Sequence, residues 1–208
     1  MPLRSVPFRT KGENAPMNKN FLPLLAGLLI IAGAAQADTT KKAILPLTVY
    51  AEGGGPAPFV PSGYMGNIGA IKMNPACTVL PHSGKTCLEV QYMSDAKWGG
   101  VVWQNPANNW GGAKGGYDLT GAKTLSFWAR GSKGGEVVSF VFGLVGKDKP
   151  NSDTSTGKLD SVPLTKAWKK YTISLAGKNM SHIITGFAWT LGAKGQPVTF
   201  YLDDIQYA

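Results

Sequence analysis

The chain has 208 residues, a formal net charge of +9 at pH 7, two Cys and two His. Gly (27) and Pro (14) make up almost a fifth of it and only 16% of residues are charged, which excludes coiled coils and helical bundles. With 43% hydrophobic residues it can bury a core, which argues against disorder, and the Cys and His supply excludes a zinc site built from several of them.

Residues 21–35 are uncharged and mostly apolar, with Lys19 before them and Ala35-Gln36-Ala37 after them. This is the charged, apolar and small-residue order of a secretory signal peptide, and the run is too short for a membrane span. The expected organisation is an upstream extension over 1–16, a signal peptide over 17–37 and one domain over 38–208. Removing the leader leaves 17 basic and 11 acidic residues, a net charge of +6. The expected location is the periplasm or the exterior. In an oxidising compartment Cys77 and Cys87 read as one disulfide.

Eight strands are predicted in chain order: 48–52, 87–93, 99–104, 124–130, 137–145, 169–175, 184–191 and 198–207. Each is rich in β-branched and aromatic residues and is bounded by Gly, Pro, Asn or Asp. In 169–175, Tyr171, Ile173 and Leu175 alternate with Lys170, Thr172 and Ser174. The stretch 56–86 is too long for a structureless loop, and 65–73 is where a further strand is expected. Short strands with no helical stripe imply an all-β, two-sheet sandwich of jelly-roll type.

Four runs then carry a family resemblance. Residues 200–205 (FYLDDI), 81–90 (PHSGKTCLEV), 124–130 (TLSFWAR) and 168–173 (WKKYTI) resemble, in order, strands of jelly-roll carbohydrate-binding modules and galactose-binding-like domains. The resemblance implies a structural calcium held by Glu52, the turn containing Ser83 and Lys85, and Asp203, an oxygen set that suits the ion. The resemblance favours Asp203 over Asp204, and strand alternation places the two on opposite faces, so only one is expected to reach a given ion.

Sugars present C–H faces to aromatic rings and hydroxyl rims to amides, carboxylates and guanidiniums. The densest such region is 98–112, with Trp98, Gln104, Asn105, Asn108 and Trp110 as candidate ligand contacts. Trp103 in the same run reads as core. Trp128 and Arg130 share one strand face opposite Leu125, Phe127 and Ala129, and Tyr64 reads as a loop aromatic facing the same site. Trp189 reads as core and Trp168 as a structural plug.

The expected function is an exported, monomeric, non-catalytic module that binds a polysaccharide or glycan. The positive charge suits an acidic glycan. No recognition helix or RNP-type motif is present, so nucleic acid is not an expected partner. A structural or protein-interaction subunit of an exported complex is the alternative. A polysaccharide lyase or hydrolase is the third reading, weakened by scattered acids and by the lack of a nucleophile elbow or metalloprotease motif.

Overall fold

The run CLEVQY buries Leu88, Val90 and Tyr92 completely, while Glu89 and Gln91 on its other face stay partly exposed. That period of two, repeated in strand after strand, builds two sheets whose inner faces share one core. The computed structural model describes residues 40–208 except 51, 56 and 96. The expected upstream extension and signal peptide lie outside the described residues.

Among the described residues the strands are β1 (Lys41–Lys42), β2 (Leu47–Thr48), β3 (Val60–Gly66), β4 (Ile71–Cys77), β5 (Cys87–Tyr92), β6 (Trp98–Gln104) and β7 (Tyr117–Asp118). They continue with β8 (Thr124–Gly131), β9 (Val137–Phe142), β10 (Gly157–Pro163), β11 (Lys169–Ser174), β12 (Thr185–Gly192) and β13 (Val198–Tyr207). One sheet runs β10-β9-β12-β6-β3. The other runs β11-β8-β13-β5-β4, with β2 paired to β13. The two-residue strands β1 and β7 pair in parallel apart from both.

The sheets meet through aromatic rings. Phe127 of β8 lies 4.6 Å from Phe140 of β9 and 5.2 Å from Phe187 of β12, and Phe200 of β13 lies 5.4 Å from Trp189 of β12. Trp103 and Trp189 are core residues, as their alternation implies. The result is an all-β sandwich of jelly-roll type.

Seven of the eight expected strands are present with ends shifted by up to three residues. The eighth, 48–52, is shorter: pairing ends at Thr48 in β2, and Glu52 opens a single 3-10 turn, Glu52–Gly54. Residues 65–73 hold no single strand. They span the end of β3, a 3-10 turn over Ile68–Ala70 and the start of β4. Strands β3, β4 and β10 were not expected as such. All three lie at sheet edges, where Pro61, Pro75 and Pro163 remove no needed ladder donor.

Candidate functional site

The two outer sheet faces differ, and the difference starts with β8. Leu125, Phe127 and Ala129 enter the core, so Ser126, Trp128 and Arg130 face outward from the six-stranded sheet. That face is roofed by residues 79–86. Arg130 is only 7% exposed. Its Nη2 donates to the Val79 carbonyl at 2.8 Å, and its guanidinium lies 3.7 Å from the Tyr201 ring and 5.1 Å from the Trp168 ring. Trp168 Nε1 donates to the Leu80 carbonyl at 2.8 Å. His82 stacks on Trp128, with ring centroids 3.7 Å apart. Trp128 and Arg130, expected among the ligand contacts, are instead engaged by this roof because the 79–86 segment folds back over their strand.

Three carboxylates hold the roof. Glu52 accepts from the Lys85 N–H at 2.7 Å and from the Thr86 hydroxyl at 3.0 Å. Asp203 accepts from the His82 N–H at 2.9 Å and the Ser83 N–H at 3.3 Å. Asp204 lies 2.7 Å from His82 Nδ1 and accepts from Ser83 Oγ at 2.7 Å. The expectation that strand alternation sends the paired aspartates to opposite faces is therefore corrected. The β13–β8 register shifts between Asp203 and Gln206, and Asp204 takes φ 47°, so strict alternation fails there and both side chains turn to the same loop. The Lys85 N–H holds the Glu52 carboxyl below the usual range. Burial pushes the Asp203 carboxyl up.

The donor set at this turn is hard oxygen from Glu52, Asp203 and nearby carbonyls, which is the type calcium takes. Glu52 Oε1 and Asp203 Oδ2 each already accept two N–H donors, while Glu52 Oε2 and Asp203 Oδ1 accept one donor apiece and keep a further lone pair. Among the described residues no group of three or more His, Cys, Asp or Glu side chains is placed to hold a metal. Any ion here would have to take main-chain carbonyls as well.

Cys77 and Cys87 are held as two free, buried thiols beside Tyr201, directly opposite each other across β4 and β5. Burial, with Cys77 adjacent, pushes the Cys87 thiol up to about 12.

The outer face of the five-stranded sheet carries the two most exposed tryptophans, Trp98 at 51% and Trp110 at 41%. Val101 and Trp103 of β6 enter the core, so Gly100 and Val102 face outward, paired with Met65 and Gly63 on one side and with Thr190 and Ala188 on the other. Small side chains dominate this floor. Gly63 is required by close approach: a Cβ there would stand 2.8 Å from the Trp110 ring and 2.9 Å from the Gln104 side chain. Trp98 borders a groove of about 480 Å³ that crosses the sheet past Thr190, Ser139 and Ser161. Asp160 accepts from Lys158 Nζ at 2.8 Å and from Ser139 Oγ at 2.9 Å, and Lys158 chiefly holds its carboxyl below the usual range.

Trp110 stands on a loop fastened by amides. Gln104, fully buried, donates to the Asn109 carbonyl at 2.9 Å and accepts from Ser62 Oγ at 2.9 Å. Asn105 donates to the Pro58 carbonyl at 2.6 Å and accepts from the Gly116 N–H at 3.0 Å. Both were expected to face ligand. Their polar atoms are spent on the scaffold, because buried amides must be satisfied locally. Asn108 takes φ 59° and is exposed at the loop tip, its N–H donating to Ser62 Oγ at 2.8 Å.

Tyr64 is not a loop residue. It pairs with Val101 within β3, on the face opposite Met65, and lines an apolar opening with Phe59, Met73 and Trp103. It is thus separated from the Trp98–Trp110 platform.

Residues 69–208 match the model of the family described as carbohydrate binding domain 30. The chain belongs to that family. Similar solved structures include a family 30 carbohydrate-binding module at 15% identity and TM-score 0.55, covering 79% of this chain and 99% of that one. Another is the family 30 module of a Clostridium thermocellum cellulosomal cellulase, at 16% identity and TM-score 0.52, covering 79% and 98%. A family 11 module of a second cellulosomal cellulase from that organism gives 14% identity and TM-score 0.50, covering 80% and 95%. At these identities the likeness shows the fold. No curated protein matches the chain.

The family 30 module is therefore a carbohydrate-binding domain. Three residues that fasten its loops were not singled out as site candidates from the sequence. Asn109, 2% exposed, accepts from the Gly111 and Ala113 N–H groups and donates to the Ala113 carbonyl. His182 sets its ring nitrogens 2.8 Å from the Ser152 carbonyl and 2.9 Å from the Gly115 carbonyl, tying the far end of the Trp110 loop. Asp204 acts on the roof. An Asn ahead of Trp-Gly-Gly was a usable signal for the first; the contacts of His182 are long-range and leave none.

Proposed function

We propose that the module is exported and non-catalytic and takes an extended β-linked glucan across the outer face of the five-stranded sheet, between Trp98 and Trp110. One observation carries this reading: two half-exposed tryptophans border a floor of glycine and small side chains on the open face, while the aromatics of the opposite face lie under the 79–86 roof. Indole faces attract sugar C–H groups, and a low floor lets a flat chain lie close. Strand β6 rises about 20 Å from Trp98 to Gln104, so the platform suits several sugar rings rather than one. Ser139, Asp160 and Thr190 supply hydroxyl-matching groups along it. The cellulosomal cellulases that carry the similar modules support a β-glucan.

Affinity electrophoresis in gels containing barley β-glucan tests this. The wild type is expected to be retarded, and folded Trp98→Ala and Trp110→Ala proteins to run freely. Equal retardation of all three would refute the assignment.

Two further parts of the proposal concern export. Directly opposed strand positions hold Cα atoms about 4.5–5.5 Å apart, inside the window for a disulfide, so Cys77 and Cys87 close a bridge in the oxidising compartment. Such a bridge over a loop near ten residues adds about 2.5–3 kcal/mol in the chain-entropy model. Intact mass before and after reduction must differ by two hydrogens. A structural calcium between Glu52, Asp203 and carbonyls of the 83–85 turn is proposed on the carboxylates converging there. EDTA should then lower the Tm by several degrees, and an unchanged Tm removes the ion from the account.

A further inference from the structure

The loop that carries Trp110 has two anchors beyond the tryptophan, and one side chain joins them. At the first, the Gly111 carbonyl accepts from the Asn151 N–H at 3.1 Å and from Asn151 Nδ2 at 3.3 Å. Gly111 permits that approach, since a Cβ there would stand 2.6 Å from side-chain atoms of Val145 and Lys149. The second anchor is Gly115. The His182 ring lies between the two. Its Nδ1 is 2.8 Å from the carbonyl of Ser152, the residue after Asn151, and its Nε2 is 2.9 Å from the Gly115 carbonyl. The His182 main chain is fixed in turn: its N–H donates to Thr154 Oγ at 3.2 Å, and its carbonyl accepts from the Thr154 N–H at 2.9 Å. His182 therefore ties the segment that holds Gly111 to the far end of the same loop.

Both partners of the ring are carbonyl oxygens, which can only accept. A neutral imidazole carries one N–H, so it bonds one carbonyl and turns a lone pair toward the other. Only the imidazolium donates to both, and donation from a charged ring makes the stronger bond. The charged and titratable groups on the segments packed against the ring are Asp153 beside Ser152, Lys114 beside Gly115, Tyr117 opposite Ile183, Lys178, and the Asp148–Lys149 pair. Lys178 Nζ donates to the Thr156 carbonyl at 2.8 Å. Asp153 accepts from the Val145, Ile184 and Thr185 N–H groups, and burial pushes its carboxyl up.

We propose that His182 is a positioning residue for Trp110 that works in its doubly protonated form, so that glucan binding is strong in mildly acidic solution and falls as the pH rises through the histidine range. Histidine ordinarily changes charge between about pH 5 and 8. Loss of the proton turns one of the two bonds into a contact between lone pairs and releases either Gly115 or the segment that holds Gly111. Both releases loosen Trp110. The effect on binding rests on the glucan reading above; the effect on Trp110 does not.

Calorimetric titration with barley β-glucan oligosaccharides at about pH 5.5 and about pH 8.5 tests it, beside NMR of the Trp110 indole N–H in the free protein over the same interval. Wild-type affinity should fall by about fivefold or more, the equivalent of one net hydrogen bond. The Trp110 signal should move together with the His182 ring signals. His182→Gln has no proton to lose in this interval and should bind weakly at both pH values. His82, the other histidine of the chain, stacks on Trp128 of the opposite face, so His82→Gln should keep the wild-type profile. If His182→Gln does not fold, the wild-type signals decide: a Trp110 signal that does not follow the His182 ring overturns the inference. So does a wild-type affinity that is the same at both pH values, or a profile that persists in His182→Gln and so belongs to Asp153. A protein that binds no glucan at either pH, with Trp110 still following His182, would overturn the glucan reading and uphold the role of His182.

Discussion

Six tryptophans occupy three kinds of place in this domain, and neighbours decide which. Trp103 and Trp189 alternate with outward-facing partners and fill the core. Trp128 and Trp168 contact the 79–86 roof, the first stacked on His82 and the second bonded to Leu80. Trp98 and Trp110 are left half exposed on the other face. Arg130 shows the cost of a wrong place: a guanidinium with so little exposure is tolerable only because Tyr201, Trp168 and the Val79 carbonyl surround it. Arg130→Ala should destabilise the protein by about 2 kcal/mol. For a domain of this size that lowers the Tm by about 4–8 °C in a thermal melt. Binding to β-glucan should be retained below that Tm. Asp160 offers a pH test on the open face. Its folded-state carboxyl lies below the ordinary 3.8, held there first by Lys158. Its contribution to stability is thus fully present above about 3.8 and disappears as the pH falls through the lower folded value. A carboxyl NMR titration should give a midpoint under 3.8 for Asp160, and Lys158→Ala should move that midpoint upward.

At the level of elements, the central strands were legible, and among the edges β11 was while β3, β4 and β10 were not. Strands β5, β6, β8, β12 and β13 are rich in β-branched and aromatic residues, and each has a hydrogen-bonded neighbour on both sides. The edge strands β3, β4 and β10 hold Pro61, Gly63, Pro75, Asp160 and Pro163, residues that lower strand propensity and are tolerated where one ladder is free. The Trp110 loop was legible only in outline. Its richness in Trp and Asn marked it, but which amides fasten the loop depends on partners as distant as Pro58 and Gly116. The roof over Trp128 was invisible for a related reason. It joins residues 79–86 to 128, 130 and 168 across the chain, and its aspartate pair relies on a bulge that alternation does not foresee. Asn109 is the spine of the Trp110 loop. Asn109→Ala strands the Gly111 and Ala113 N–H groups and should cost about 2 kcal/mol. Because Trp110 is the next residue, glucan binding should weaken together with that stability, and calorimetry beside a melt would detect both.

Taken as a whole, the molecule is a sandwich with one closed and one open outer face. The closed face joins the Cys77–Cys87 pair, the arginine–aromatic cluster and three carboxylates around one folded-back segment. The open face has a floor of small residues, two tryptophans and the groove beside Trp98. Membership of carbohydrate-binding family 30 gives that asymmetry a use. A rigid sheet holds the platform, so little ordering is required when a chain settles on it, and the fastening of the Trp110 loop serves the same end. The most direct measurement follows the indole N–H signals of the tryptophans by NMR as barley β-glucan oligosaccharides are added. The Trp98 and Trp110 signals should shift together while those of Trp128 and Trp168 stay in place. Shifts at Trp128 and Trp168, with Trp98 and Trp110 unmoved, would contradict the Trp98–Trp110 platform.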